Sequence, residues 1–261
     1  MIGVFDSGIG GLTVVRALRE RLPDRDIIYL GDTARTPYGS KSADTIIKYS
    51  VNNTNFLLRK GARLIVIACN TASSYAFGAM CAHFDVPVFE VIGPGARLAV
   101  NRSRRYRIGV IGTRATVASG IYERTIRQLK PAAYVHATAC PLLVPLVEEG
   151  WVDRPETARI VRKYLQPLKA VQIDTLILGC THYPVLRALI QRKIGKSVLL
   201  VDSAEAVAEQ VRAYFDSCAG MDKKENREGC LEVFVTDTAE QFRKTARMIL
   251  QRDISIQHAD L

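Results

Sequence analysis

The sequence predicts an α/β fold of two similar, pseudo-symmetric domains. Each is a mostly parallel sheet flanked by helices, and a cleft lies between them. Three observations carry this. Short apolar runs alternate with stretches of helical period along the chain, the pattern of strand–helix units around a parallel sheet. Segments of the first half recur in the second, in the same order: "IGVFDS" at 2 with "IGVIGT" at 108, "LIVIAC" ending at 69 with "TLILGC" ending at 180, and "VFEVIGPGARLAV" from 88 with "VLLVDSAEAVAEQV" from 198. The length, 261 residues, with 48% hydrophobic and 24% charged content, suits a globular chain of one large or two ordinary domains.

Strands are expected at 2–5, 27–30, 64–68, 88–92, 108–112, 133–139, 175–179 and 198–202, each a short apolar run. Amphipathic helices lie between them. In 155–169, Ile160, Val161, Tyr164, Leu165 and Leu168 share one face. Pro184 suits the first turn of the helix "PVLRALIQRKI" and Gly195 its end. Asp202 followed by Glu205 reads as a capping box that opens the next helix. The segment 216–230, "DSCAGMDKKENREGC", reads as a polar loop.

Composition excludes several classes. No apolar run reaches the eighteen or so residues of a membrane span. The start, "MIGVFDSGIGG", lacks the basic-then-apolar pattern of a signal peptide, so a cytoplasmic location is expected. Cysteines at 69, 81, 140, 180, 218 and 230 form no Cys-x-x-Cys pair and are expected as free thiols. Cys81 with His83 is one pair, not a zinc site, and no metal is expected. The net charge of +10 is densest in "NRSRRYR", 101–107. With no finger, basic zipper or aromatic-basic RNA signature, a solvated surface is the preferred reading over a nucleic-acid partner.

The chemistry gathers at strand ends. Cys69 and Cys180 end corresponding strands, and ligands of open α/β sheets bind beyond the carboxyl ends of strands. Two such thiols can approach one ligand from opposite sides. That geometry suits removing a proton from one face of an amino acid's α-carbon and returning one to the other. Cys69 is followed by "NTASS", a helix-starting segment, and Cys180 by Thr181 and His182, so both surroundings can tune a thiol. "FDSGIGG" offers Asp6 and Ser7, with Gly8, Gly10 and Gly11 letting backbone amides approach an anion. It is not a G-x-G-x-x-G fingerprint, which argues against a dinucleotide. "GDTARTPYGSKS" offers Asp32, Pro37, Tyr38 and Gly39, and "CPLLVPLVEEGW" ends in Glu148 and Glu149. "GKS" at 195–197 lacks the glycine of a phosphate loop five residues earlier, where Ile190 stands. No lysine marks a pyridoxal phosphate site, so a cofactor-free mechanism is expected.

"FDSGIGGLTV", "YLGDTARTPYG", "ACNTAS", "CPLLVPLVEEG" and "LGCTHYPVL" together resemble the signature segments of the bacterial glutamate racemases, in the cofactor-independent aspartate/glutamate racemase family. "VFVTDTAEQFRKTARMIL" resembles that family's C-terminal segment. The resemblance implies interconversion of L- and D-glutamate without a cofactor, supplying D-glutamate for peptidoglycan. It implies Cys69 and Cys180 as paired acid/base residues, Asp6 supporting Cys69 and His182 supporting Cys180. Ser7, Pro37, Tyr38, Gly39, Asn70, Thr71 and Thr181 would hold the substrate. Asp32 and Glu148 match further polar positions, Glu149 is the competing neighbour of Glu148, and Thr113 and Thr116 of "IGTRAT" are further contacts. The family fold implies one domain from 1–92 plus 206–261 and another from 93–205, with the site between them and a homodimer as the assembly. The chain starts almost at its first strand, which implies that it lacks the N-terminal extension some members carry for activation by a cell-wall precursor. An aspartate racemase is the nearest alternative, one methylene away in substrate. A basic nucleic-acid-binding protein is the alternative of another class, and it leaves both cysteine loops unexplained.

Overall fold

Two parallel sheets organise the computed structural model, which describes residues 1–218, 228–237 and 240–261. The first half supplies β1 (Ile2–Asp6), β2 (Ile27–Gly31), β3 (Leu64–Ile67) and β4 (Val88–Glu90). The second half supplies β5 (Arg107–Gly112), β6 (Tyr134–Ala139), β7 (Thr175–Gly179) and β8 (Leu199–Asp202), and the C-terminal region adds β9 (Leu231–Val235) and β10 (Ile256–His258). The sheet orders are β10-β9-β2-β1-β3-β4 and β6-β5-β7-β8. The run β2-β1-β3-β4 therefore has the same topology as β6-β5-β7-β8, as the recurring segments predict. Gly3 and Gly109 even repeat a packing detail. A Cβ on Gly3 would meet the Ala62 Cβ at 2.8 Å, and one on Gly109 would meet Ile173 Cδ1 at 2.6 Å.

The helices are α1 (Leu12–Arg21), α2 (Ala43–Arg59), α3 (Asn70–His83), α4 (Ile92–Arg102), α5 (Arg114–Ala118), α6 (Ile121–Leu129), α7 (Leu143–Glu148), α8 (Pro155–Ala170), α9 (Arg187–Ile194), α10 (Ser203–Ser217) and α11 (Glu240–Leu250). They cover both faces of each sheet, which is why the strands read as unbroken apolar runs. On the first sheet, Val4, Tyr29 and Val66 pack with Leu18 of α1, Val207 of α10 and Phe242 of α11. On its other face Phe5, Leu30 and Ile67 meet Phe56, Leu57 and Met80 of α2 and α3. On the second sheet, Ile111 and Leu178 pack with Val161 and Leu165 of α8 and Ile190 of α9. Val110 and Ile177 pack with Ala96 of α4 and Tyr122 and Ile126 of α6. Each fully buried Leu, Ile or Phe contributes about 1.5–3 kcal/mol.

Four elements differ from expectation. The run expected at 88–92 is strand only to Glu90, because its carboxylate accepts from Ile92 N at 2.5 Å and Gly93 N at 2.7 Å and so starts α4. The helix expected from Pro184 opens as a 3₁₀ turn, Tyr183–Leu186, before α9 begins; Gly195, at φ +109°, ends it as predicted. The strands β9 and β10 extend the first sheet beyond the eight expected. Of the polar loop expected at 216–230, residues 219–227 lie outside the described residues. Among the described residues, no helix is long and apolar enough to cross a membrane, and no cluster of His, Cys, Asp and Glu could hold a metal ion.

Candidate active site

β3 and β7 hold equivalent places in their sheets, and each runs directly into a cysteine. Cys69 is the N-cap of α3, in extended conformation, and its Sγ accepts from Ala72 N at 3.5 Å. Its thiol also lies 3.7 Å from Ser7 Oγ. Cys180 follows Gly179 of β7 and precedes the turn that carries His182. Both thiols are buried, yet both line one cavity. From the side of the first sheet its wall includes Ser7, Thr36, Pro37, Tyr38, Gly39, Cys69, Asn70 and Thr71. Thr113, Val144, Cys180, Thr181 and His182 close it from the other side.

Each thiol has its own titratable neighbour. Asp6 is fully buried and accepts from Gly8 N at 3.1 Å, Gly11 N at 3.0 Å and Thr181 Oγ1 at 3.3 Å. Two amides of the glycine loop are thus spent on the protein's own carboxylate, where the sequence suggested an external anion. Burial raises Asp6 above the usual carboxylate range, while the His182 charge and these donors pull it back. Burial first, and the Asp6 charge second, push Cys69 up to about 12, against the opposing bonds from Ala72 N and Ser7. Cys69 is therefore a protonated thiol at neutral pH.

His182 has the opposite balance. Burial alone would lower it, but its bonds to Cys180 and Glu148 and their charges raise it to about 10. Its Nδ1 lies 3.8 Å from Cys180 Sγ and its Nε2 3.1 Å from Glu148 Oε1. As an imidazolium it donates to both. Glu148, the last residue of α7, is the carboxylate that meets the histidine, and Glu149 is exposed.

The remaining predicted residues fall into wall and support. Tyr38 is on the wall; its hydroxyl donates to Asp32 and accepts from Asn53 Nδ2 at 3.0 Å. Asp32 is fully buried behind it, bonded also by Arg35 Nε at 2.7 Å and Thr236 Oγ1 at 3.1 Å, and is not on the wall. Thr71 Oγ1 lies 2.9 Å from Thr113 Oγ1 and 3.2 Å from Thr116 Oγ1, with Thr116 behind the other two. Asp6 and Glu148 likewise act from behind the wall. The expected residues missing from the wall are thus Asp6, Asp32, Glu148 and Thr116, each bonded to a residue that is on it or beside it. Thr36 and Val144 line the cavity without having been anticipated. Thr36 could have been found as the neighbour of "PYG", whereas Val144 reads only as a core residue.

Close approach across the cavity depends on glycine. A Cβ on Gly10 would lie 2.5 Å from His182 Nδ1, and one on Gly39 2.8 Å from the Thr113 Cβ. Thr13 Oγ1 reaches Thr181 O at 3.3 Å. The chemistry available is an acid, the Cys69 thiol, and a second thiol beside a cation, facing one small space.

Residues 11–211 match the Asp/Glu/Hydantoin racemase family. A glutamate racemase from Aquifex pyrophilus is 47% identical over 259 residues, covering 99% of this chain and 97% of its own. Among solved structures, a glutamate racemase isoform from Bacillus anthracis superposes with a TM-score of 0.95 at 36% identity, over 100% of this chain and 97% of that one. A glutamate racemase from Francisella tularensis in complex with D-glutamate gives a TM-score of 0.90 at 36% identity, over 100% and 96%. Two matched sheets, a cysteine at the same strand end of each, and these similarities lead to one conclusion: the chain is an amino-acid racemase and belongs to the Asp/Glu/hydantoin racemase family, among its glutamate racemases.

Proposed function

We propose that the protein interconverts L- and D-glutamate without a cofactor, with Cys69 and Cys180 as acid and base on opposite faces of the α-carbon. The observation that carries this is the meeting of two buried thiols, from equivalent strand ends, on one cavity, each with its own titratable support. In one direction the Cys180 thiolate, beside the His182 imidazolium, takes the α-proton. The Cys69 thiol then delivers its own proton to the opposite face. Cys69 is left as thiolate and Cys180 as thiol, and the reverse reaction exchanges their roles. Asp6 serves Cys69 as His182, braced by Glu148, serves Cys180.

Ser7, Pro37, Tyr38, Gly39, Asn70, Thr71, Thr113 and Thr181 hold the substrate's carboxylates and ammonium in this reading. Asp32 acts through Tyr38, and Thr116 through the other two threonines. The α-hydrogen is so weakly acidic that these preoriented dipoles must stabilise the developing carbanion. The division into 1–92 plus 206–261 and 93–205, with the site between, belongs to the same proposal. So do a cytoplasmic location and a homodimer, the latter tested by sedimentation of the 28.9 kDa chain.

Likeness to glutamate racemases over nearly the whole chain supports glutamate over aspartate. Incubation with L-glutamate in heavy water tests the reaction. D-Glutamate carrying deuterium at Cα is expected. No inversion and no exchange, in folded and reduced protein, would overturn the reading, and turnover of L-aspartate in its place would move the substrate by one methylene. A pocket discriminates such a difference by about 1–3 kcal/mol. Growth of a D-glutamate auxotroph on expression of the chain tests the supply of D-glutamate for peptidoglycan.

A further inference from the structure

Asn70 follows Cys69 directly, is buried, and lines the cavity. Its Oδ1 accepts from Tyr122 Oη at 2.6 Å, whereas its Nδ2 is buried with no partner among the described residues. A buried donor left unmade costs stability, so a native protein keeps one where a ligand completes it. Which end of the amide faces the cavity is decided by Tyr122. Ser203, the first residue of α10, stands beside the tyrosine oxygen as a donor that favours its charged form. With a donor on that side, the phenolic proton goes to Asn70, and an acceptor must face it. Burial pushes the Tyr122 hydroxyl well above its ordinary range, so it remains a donor. The amide is therefore locked with Oδ1 towards the tyrosine and its N–H groups free for the cavity.

The same ring touches the other half-site. Gly179, the residue before Cys180, lies so close that a Cβ there would be 3.1 Å from Tyr122 Cε2. Gly95 leaves similar room, since a Cβ there would stand 3.7 Å from the hydroxyl and 3.2 Å from the Ser203 Cβ. One side chain thus presses on the residue before one thiol and is bonded to the residue after the other.

We propose that Tyr122 is a positioning residue of the racemase site: it fixes the Asn70 amide with its N–H groups towards a substrate carboxylate and braces the Cys69 and Cys180 strand ends against each other. This rests on the proposed racemisation of glutamate, and Asn70 is the group through which the hydroxyl acts.

The test is a double-mutant cycle of Tyr122→Phe and Asn70→Ala, reading KM and kcat in both directions, calorimetric Kd for D-glutamate, and thermal unfolding. Tyr122→Phe keeps the ring and its packing but frees the amide to turn. Loss of the fixed donor should raise KM and Kd about tenfold for both enantiomers, with a smaller change in kcat. In the Asn70→Ala background Tyr122→Phe should cause no further change in Kd. Additive losses, or an unchanged KM, would overturn the proposal. If Tyr122→Phe does not fold, Ser203→Ala replaces it in the cycle, with a smaller rise in Kd that must also vanish in the Asn70→Ala background. Wild-type protein without glutamate turnover would defeat the functional reading itself, whereas normal turnover with additive losses defeats only the role of Tyr122.

Discussion

At the scale of single residues, the two thiols differ in their surroundings and so in their resting chemistry. Cys69 shares its space with buried Asp6, whose charge repels a second anion, and Cys180 stands beside a histidine held cationic. Replacing either sulfur by oxygen keeps the shape but removes a group able to exchange a proton at this acidity. Cys69→Ser and Cys180→Ser should each lower kcat by about 10²–10⁴-fold with far-UV circular dichroism unchanged; normal turnover in either would refute the two-base assignment. His182→Asn should slow one direction more than the other, measured as separate kcat values for L- and D-glutamate. Equal losses would mean that His182 does not serve Cys180 alone. His182 also links stability to pH. Its folded value, about 10, is above its ordinary 6.5, so protonated His182 favours the fold. That contribution is fully present below about 6.5 and is lost as pH rises towards about 10. The stability difference between wild type and His182→Asn, from urea unfolding, should shrink across that window.

Among the elements, the glycine loop before α1 does more than turn the chain. Its amides hold Asp6, and Gly10 is the surface on which the second half rests its histidine. A methyl group at Gly10 would sit 2.5 Å from His182 Nδ1, so the imidazole has to move. Displacing a catalytic group by an ångström typically costs about 10² in rate, which sets the expected fall in kcat for Gly10→Ala. Thermal unfolding, measured alongside, separates this from collapse of the fold. Helix α3 contributes in another way. Its N-cap is the Cys69 sulfur, proposed above as one of the two acid/base groups and bonded by Ala72 N, so the helix start orients the thiol.

Across the whole molecule, the cavity is built from loops that follow strands of both sheets. Asp6 of the first half accepts from Thr181 of the second, Thr71 pairs with Thr113, and Thr13 donates to the carbonyl of Thr181. Substrate bound between them should tie the halves together. At a D-glutamate concentration a hundred times its Kd, binding stabilises the folded chain by about 2.7 kcal/mol, visible as a raised Tm. The same ligand should shield Cys69 and Cys180 from iodoacetamide while leaving the exposed Cys81 and Cys230 open, as read by peptide mass spectrometry. Protection of neither buried thiol would place glutamate outside this cavity.

Much of this was legible in the sequence, because strand period and loop chemistry are local. Eight apolar runs became the eight strands of the duplicated core, and the recurrence of "LIVIAC" and "TLILGC" placed both cysteines at corresponding strand ends. Ser7, Tyr38, Asn70, Thr71, Thr113 and Thr181 could be named from their loops, and they do line the cavity. Other outcomes depended on residues distant in the chain. Whether Glu148 or Glu149 faces His182 follows from how α7 is rotated against the second cysteine loop. Asp32 looks like a substrate ligand beside "TPYG", yet packing turns it behind Tyr38 and towards Arg35. Tyr122, on a helix with no motif, is bonded to Asn70 although the two are 52 residues apart in the chain. The sequence by itself determined the strands of the duplicated core, the duplication and the chemical groups. Only the tertiary structure decided which groups touch the cavity and which stand behind it, because a hydrogen bond or a desolvated charge depends on neighbours that chain order does not bring together.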